Sequence, residues 1–110
     1  MGYIDTEVIG MSMSFPIELK TGFFEVERCM LKIDSKALQL IIEFDKNSSA
    51  YLIEFENIKK VIYNPYMRHE IEIQTDHNAY VGHLLKDEIQ RGVMDFVKVA
   101  FGEKYKEIKY

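Results

Sequence analysis

Three histidines fall within a short stretch of this chain: His69, His77 and His83. A zinc site needs three or four such ligands converging from neighbouring elements. The two segments that carry them, 69–75 and 79–84, read as one hairpin. A slip of one residue in its register turns every side chain to the opposite face. His77 lies in Asp76-His77-Asn78, a turn whose tip points to solvent. The expectation is therefore surface or rim histidines and no metal site. Glu54, Glu56, Glu70 and Glu72 form a second candidate set, as carboxylate pairs for acid–base work. They alternate with apolar residues, so they read as the solvated face of strands. Cys29 is the only cysteine, which leaves no intramolecular disulfide and no cysteine-based zinc site. Within Glu27-Arg28-Cys29-Met30-Leu31 it reads as a small buried hydrophobe. No nucleophile elbow, glycine-rich phosphate loop or zinc-binding helix motif occurs. No catalytic residue, metal or cofactor is assigned, and the chain is expected not to be an enzyme.

Binding is better supported than catalysis. Lys59, Lys60 and Arg68 flank the segment Asn64-Pro65-Tyr66-Met67. With Tyr63, Tyr66 and Met67 they make the best candidate interaction surface, because aromatics and methionine beside basic residues suit a protein interface or a peripheral membrane contact. The net charge of −4 sets limits on the partner. Nucleic-acid binders draw most of their affinity from neutralising phosphates and carry a basic excess, so no nucleic acid is expected. The same balance gives no indication of a charge-driven membrane contact. A protein partner or self-association is the expected mode.

The elements that would position these residues are mostly strands. The chain has 110 residues, 47% hydrophobic and 29% charged, enough for one domain with a real core and not for two. Ile9, Met11, Met13 and Phe15 alternate with small polar residues, a period-two strand. Pro16 should end its pairing or mark an exposed edge, where two copies could also pair. A second strand is expected over 23–33. There Phe24 and Val26 share one parity, and Cys29, Leu31 and Ile33 the other. A β-bulge would produce that shift, and so would partial cover of both faces. Leu38, Leu40, Ile42 and Phe44 make a third strand, and Tyr51, Ile53 and Phe55 a fourth. Ile58 to Tyr63 makes a fifth, stopped by Asn64-Pro65. The hairpin of 69–75 and 79–84 completes seven. Short loops between them imply an antiparallel meander.

One strong helical pattern follows. Ile89, Val93, Phe96, Val97, Ala100 and Phe101 share one face of a helix over 87–101. Asp87 is its expected N-cap, Gln90 the reciprocal capping partner and Gly102 the stop. Gly92 lies on the apolar face, where close approach of the helix to the sheet would explain it. A Gly92→Leu change is then expected to destabilise the domain. The segment 103–110 alternates charge with Tyr105, Ile108 and Tyr110. It could extend the helix, dock on another subunit or fray. No internal repeat, linker or membrane-length apolar run is present. Met1-Gly2-Tyr3-Ile4-Asp5 does not resemble a signal peptide, so the expected location is the cytoplasm.

Seven antiparallel strands and a C-terminal amphipathic helix resemble the pleckstrin-homology superfold. The passage Tyr51-Leu52-Ile53-Glu54-Phe55-Glu56-Asn57-Ile58-Lys59-Lys60-Val61 is similar to the strand–turn–strand step of bacterial pleckstrin-homology-like and GRAM-like domains. That step has an aromatic-ended strand, an acidic turn and an Ile-x-x-Val spacing. The resemblance covers roughly residues 24–101. It implies a mainly β fold, a split barrel of about seven antiparallel strands capped by one C-terminal helix, with 1–110 as a single domain. Members of this superfold bind phosphoinositides or proteins. The basic pattern of the phosphoinositide binders is missing from the first hairpin, which carries Glu18, Lys20, Glu25, Glu27 and Arg28 instead. The expected function is thus a non-catalytic interaction module that binds protein or oligomerises. The alternative is a lipid or small-ligand domain that uses the barrel mouth.

Overall fold

A computed structural model describes residues 12–46 and 49–109. Among the described residues eight strands form one sheet: β1 (Ser12–Lys20), β2 (Val26–Asp34), β3 (Gln39–Phe44), β4 (Ala50–Glu54), β5 (Ile58–Asn64), β6 (Glu70–Thr75), β7 (Ala79–Leu84) and β8 (Tyr105–Glu107). Their order across the sheet is β4-β3-β2-β1-β7-β6-β5-β8. Hairpins link β1 to β4 in one half-sheet and β5 to β7 in the other. The seam between the halves is short: Ile17, Glu18 and Leu19 of β1 pair with Leu84, His83 and Gly82 of β7. The sheet curls until Tyr51 of β4 meets Tyr80 of β7, with ring centroids 5.6 Å apart. These strands are not joined by a ladder, so the barrel is split.

Alternation builds the interior. Phe15, Ile17, Leu31, Ile33, Leu40, Ile42, Ile71 and Ile73 point inward at every second position and are fully buried. Cys29 lies among them, and burial pushes its thiol up to about 11, so it is an inert packing group. Asp34 closes the β2–β3 turn by accepting hydrogen bonds from the backbone N–H of Lys36 and Ala37 through Oδ1.

Several expectations need correction. Ile9 and Met11 lie outside the described residues. Pro16 does not end β1 or mark an outer edge. It sits mid-strand opposite Met30, in a sheet whose outermost strands are β4 and β8. The rungs to β7 begin only at Ile17, so Pro16 occupies an edge-like stretch where a missing N–H is tolerated. No bulge occurs in β2, whose register with β1 and β3 is continuous. Phe23 and Phe24 belong to the preceding loop, and Val26 faces outward. The bulge lies instead in β5, between Ile58 and Lys60. Leu38 is not an inward strand residue. It is exposed in a turn, with φ of 56°.

The helix is two helices, α1 (Lys86–Gln90) and α2 (Val93–Phe101). Leu85, not Asp87, occupies the N-cap, and no side chain caps the end. Asp87 lies in the first turn, where its charge complements the helix dipole. Val93, Val97 and Phe101 are buried, and Phe101 packs on Phe55 in the short 3₁₀ turn Phe55–Asn57, with ring centroids 4.7 Å apart. Gly102, at φ of 53°, ends α2 as expected.

Gly92 has a different role from the one expected. A Cβ there would meet only Asp95 Oδ2, at 3.6 Å, so no close approach requires glycine. Its φ of 78° does, because the left-handed turn there separates α1 from α2. Gly92→Leu should therefore cost about 1–2 kcal/mol through backbone strain. Gly92→Asn should cost clearly less, since asparagine tolerates that region. Urea denaturation of both variants checks this, and equal losses would favour a steric cause.

The segment after α2 neither extends the helix nor hangs free. Gly102–Lys104 forms a 3₁₀ turn, and β8 then pairs in parallel with Val61, Ile62 and Tyr63 of β5. The path through α1 and α2 is the long crossover that a parallel neighbour needs. Ile108 N–H donates to Tyr63 O at 2.9 Å, and Lys104 Nζ donates to Phe55 O.

Candidate functional site

Asn64 ends β5, and its Oδ1 accepts the Tyr66 N–H at 3.0 Å. This side-chain turn, followed by Pro65, starts the β5–β6 loop. Arg68 and His69 then both adopt left-handed backbone, with φ of 54° and 56°. Neither is glycine or asparagine, so the loop holds a conformation disfavoured by about 1 kcal/mol or more at each position. Two hydrogen bonds hold it there. The Tyr63 hydroxyl and His69 Nδ1 share one of 2.7 Å. The two rings lie nearly end to end, with centroids 6.1 Å apart and an interplanar angle of 14°. His69 O accepts the Leu84 N–H at 3.1 Å. Tyr63 is itself buried, and burial raises its hydroxyl above the ordinary value of 10.0, with Glu107 of β8 adding to the effect. The outcome is a fixed loop that presents Tyr66 and Met67, 59% and 54% exposed, beside the exposed Arg68.

The six residues expected to form one surface are divided by the fold. Tyr66, Met67 and Arg68 are together and outward. Tyr63 is beneath them as a support. Lys59 and Lys60 are at the opposite end of β5. The four positions from Lys60 to Asn64 span about 13 Å in a strand. Lys59 Nζ pairs with Asp76 Oδ1 in the β6–β7 turn at 3.7 Å, so its charge is engaged there. The histidines do not converge either. His69 and His83 flank one end of the β6–β7 hairpin, while His77 is exposed at its tip. Among the described residues no group of His, Cys, Asp and Glu is arranged to hold a metal.

Next to the loop, His83 is 8% exposed and lies opposite Glu70 and Glu18 on the outer face of the sheet. Its Nε2 is 3.8 Å from Glu70 Oε2, which also pairs with Lys20 Nζ at 3.6 Å. Burial lowers the imidazole below its ordinary value of 6.5, Arg68 and Lys20 lower it further, and Glu70 and Glu18 oppose them. The long contact to Glu70 would by itself favour the charged ring, but desolvation and two cations outweigh it. The unfolded chain therefore takes up a proton at a higher pH than the folded one. Stability is complete above the unfolded value of 6.5 and falls as the pH drops through it. Denaturant midpoints between pH 8 and pH 5 check this, and His83→Gln should flatten that part of the slope.

Two further features border the barrel. An open groove of about 260 Å³ lies between β4 and the β6–β7 turn, lined by Leu52, Ile53 and Tyr80 with Asn57 and residues 75–78. It is smaller than the usual small-molecule site of about 300–1,000 Å³. The second feature is the β1–β2 loop, residues 21–25, where Phe23 and Phe24 are 97% and 94% exposed. The expected strand over 23–33 hid this pair, since consecutive aromatics ahead of a strand pattern read as its beginning.

No protein-family model and no curated protein sequence matches the chain. Solved structures do. The Spt16D Pob3N heterodimer structure aligns with a TM-score of 0.63 at 13% identity over 92% of this chain, which spans 57% of the length of that one. The N-terminal PH domain of human ARAP2 aligns with a TM-score of 0.62 at 17% identity, over 84% of this chain and 80% of that one. The hSac2 domain of the human phosphoinositide phosphatase Sac2 aligns with a TM-score of 0.56 at 10% identity, over 99% of this chain and 84% of that one. At these identities the likeness establishes the fold, a pleckstrin-homology-like split barrel, and leaves function to the residues.

Proposed function

We propose that this pleckstrin-homology-like barrel is a non-catalytic interaction module of the cytoplasm that binds a protein partner through its β5–β6 loop. One observation carries the reading: Tyr66 and Met67 are held outward on a strained loop that the Tyr63–His69 hydrogen bond locks. Strain of this kind persists where surrounding structure over-determines it, and it clusters at binding sites. A fixed aromatic and a methionine beside an arginine make a suitable interface anchor, because little side-chain entropy is lost on docking. Within the superfold we place the chain with the GRAM-like bacterial domains. Residues 51–61 carry their pattern across β4, the 3₁₀ turn and β5, with both Ile58 and Val61 buried.

A photo-crosslinking residue at position 66, introduced in cells, tests the site. The expected result is a discrete adduct that is absent when the same residue replaces the exposed Val99. Met67→Ala with Arg68→Ala should remove the adduct and leave the melting temperature within a few degrees. An adduct formed equally from position 99, or retained in that double variant, would reject the loop as the interface.

A further inference from the structure

We propose that β4 is a self-pairing edge: two copies of the chain join β4 to β4 antiparallel, about a twofold axis at Leu52, to make one continuous sheet. β4 and β8 are the two outer strands among the described residues, and they are built differently. β8 has three residues, and its exposed Lys106 and Glu107 guard it against pairing. β4 carries no lysine, proline or bulge, and it exposes Tyr51 and Leu52, at 46% and 57%. Its free backbone groups follow from the ladder to β3. Phe44 N–H donates to Ser49 O at 2.8 Å, and Phe55 N–H donates to Leu38 O at 2.9 Å. The hydrogen-bonded pairs between them are then Leu40 with Ile53 and Ile42 with Tyr51. The N–H and C=O of Ala50, Leu52 and Glu54 point the other way, off the edge of the sheet. A groove beside them, lined in part by Leu52 and Ile53, leaves that edge open to solvent.

The strand is complementary to itself in the register that puts Leu52 on the axis. Leu52 then meets Leu52 of the second copy, each donating its N–H to the other's C=O. Ala50 meets Glu54 in the same manner on either side. Tyr51 meets Ile53, an aromatic–β-branched pair of the kind antiparallel strands favour. Ile41 of β3 lies opposite Leu52, so the two copies form one apolar row across the junction. Charge agrees with this register. Glu54 faces Ala50 and not another Glu54, and Glu43, next to Ala50, is already paired with Lys32 Nζ at 3.2 Å. The same patch on both copies closes the pair, whereas β4 on β8 would leave open ends. A strand of five residues buries less than the roughly 800 Å² per partner of a standard interface, so the dimer is a weak one, with a Kd on the order of 100 µM. The junction lies at the end of β6 away from the β5–β6 loop, so it does not depend on that loop's role.

Sedimentation equilibrium of the full chain, from about 10 µM to about 1 mM, provides the test and should show monomer and dimer with no larger species. Leu52→Lys sets like charges opposite each other on the axis and should weaken the dimer by about tenfold or more. Leu52→Pro removes an N–H that faces off the edge and should also prevent pairing. Neither change touches a hydrogen bond to β3, so both variants should keep their melting temperature within a few degrees. Cysteine mapping reads the register. Paired Cα atoms about 5.5 Å apart suit a disulfide. The native Cys29 is buried and does not compete. Leu52→Cys should cross-link to itself under mild oxidation. Ala50→Cys should not, because its two copies are about 13 Å apart, but it should cross-link to Glu54→Cys. The proposal is overturned if the wild type stays monomeric at the highest concentration, if both Leu52 variants dimerise like wild type, or if Ala50→Cys couples to itself as readily as Leu52→Cys. It is overturned too if the amides of Ala50, Leu52 and Glu54 resist hydrogen exchange in the dilute monomer, since another segment of the same chain would then hold the edge. Coupling of Leu52→Cys in cells to a different protein and not to itself would likewise assign the edge to that protein's strand.

Discussion

A Val97→Asp variant is expected to show no cooperative unfolding transition at 25 °C. Val97 is completely buried in the middle of α2. An unpaired carboxylate there costs several kcal/mol even when it takes up a proton. The lost valine burial adds about 1.5–3 kcal/mol. A domain of this size has about 5–15 kcal/mol of stability in all. Val99→Asp is the control: the residue lies on the same helix but is 74% exposed, and the change should stay within about 0.5 kcal/mol. Thermal melts followed by circular dichroism distinguish the two. If Val97→Asp melted like wild type, α2 would not be packed on the core through Val97.

The second large effect is expected at Gly82. A Cβ there would lie 3.0 Å from the backbone oxygen of Glu18 and 3.3 Å from Ile17 Cδ1. Those residues are the β1 side of the seam, and backbone cannot step aside as a side-chain end can. Gly82→Val should lose about 2–3 kcal/mol, at the upper end for overpacking. That corresponds to roughly 10–15 °C in melting temperature for a domain near 100 residues. Gly22→Ala separates crowding from a general cost of losing glycine. Its added Cβ also comes within 3.0 Å of an atom, but that atom is the end of the flexible Glu25 side chain. Its melting temperature should barely move. Equal losses at the two positions would deny the seam its special tightness.

What could be read from residue order follows the strength of local periodicity. β6 is clear because Ile71 and Ile73 alternate strictly with polar residues, and β3 because Leu40, Ile42 and Phe44 keep one parity; β4 and β7 are marked more by the polar turns ahead of them than by alternation. β2 is blurred by Phe24 and Val26, apolar residues that face solvent and mimic a change of face. The bulge in β5 leaves no signature, since Lys59 and Lys60 are both polar and both exposed. β8 is unreadable because three residues cannot establish a period, and its partner comes from tertiary contact. Gly92 and Gly82 show the same limit from opposite sides. A glycine is visible in any sequence, but whether it serves a positive φ or a crowded backbone depends on neighbours distant in the chain. The candidate loop was legible at Tyr66, Met67 and Arg68 through the Asn64-Pro65 turn signal. The lysines were misplaced because adjacency along a strand is not adjacency in space. The lock between Tyr63 and His69 required the fold.

The three-rung seam also bears on how the barrel assembles. Each half-sheet is a run of hairpins whose partners are near in sequence, so its contacts can form early and locally. Joining Ile17–Leu19 to residues 82–84 closes a loop that runs through β2 to β6, more than half of the chain, and few rungs repay that closure. Refolding should then be slow for the chain's length, in the millisecond-to-second range typical of sheets rich in distant pairings. The rate-limiting step would be the meeting of two preformed halves, with the tightness at Gly82 set at the moment they meet.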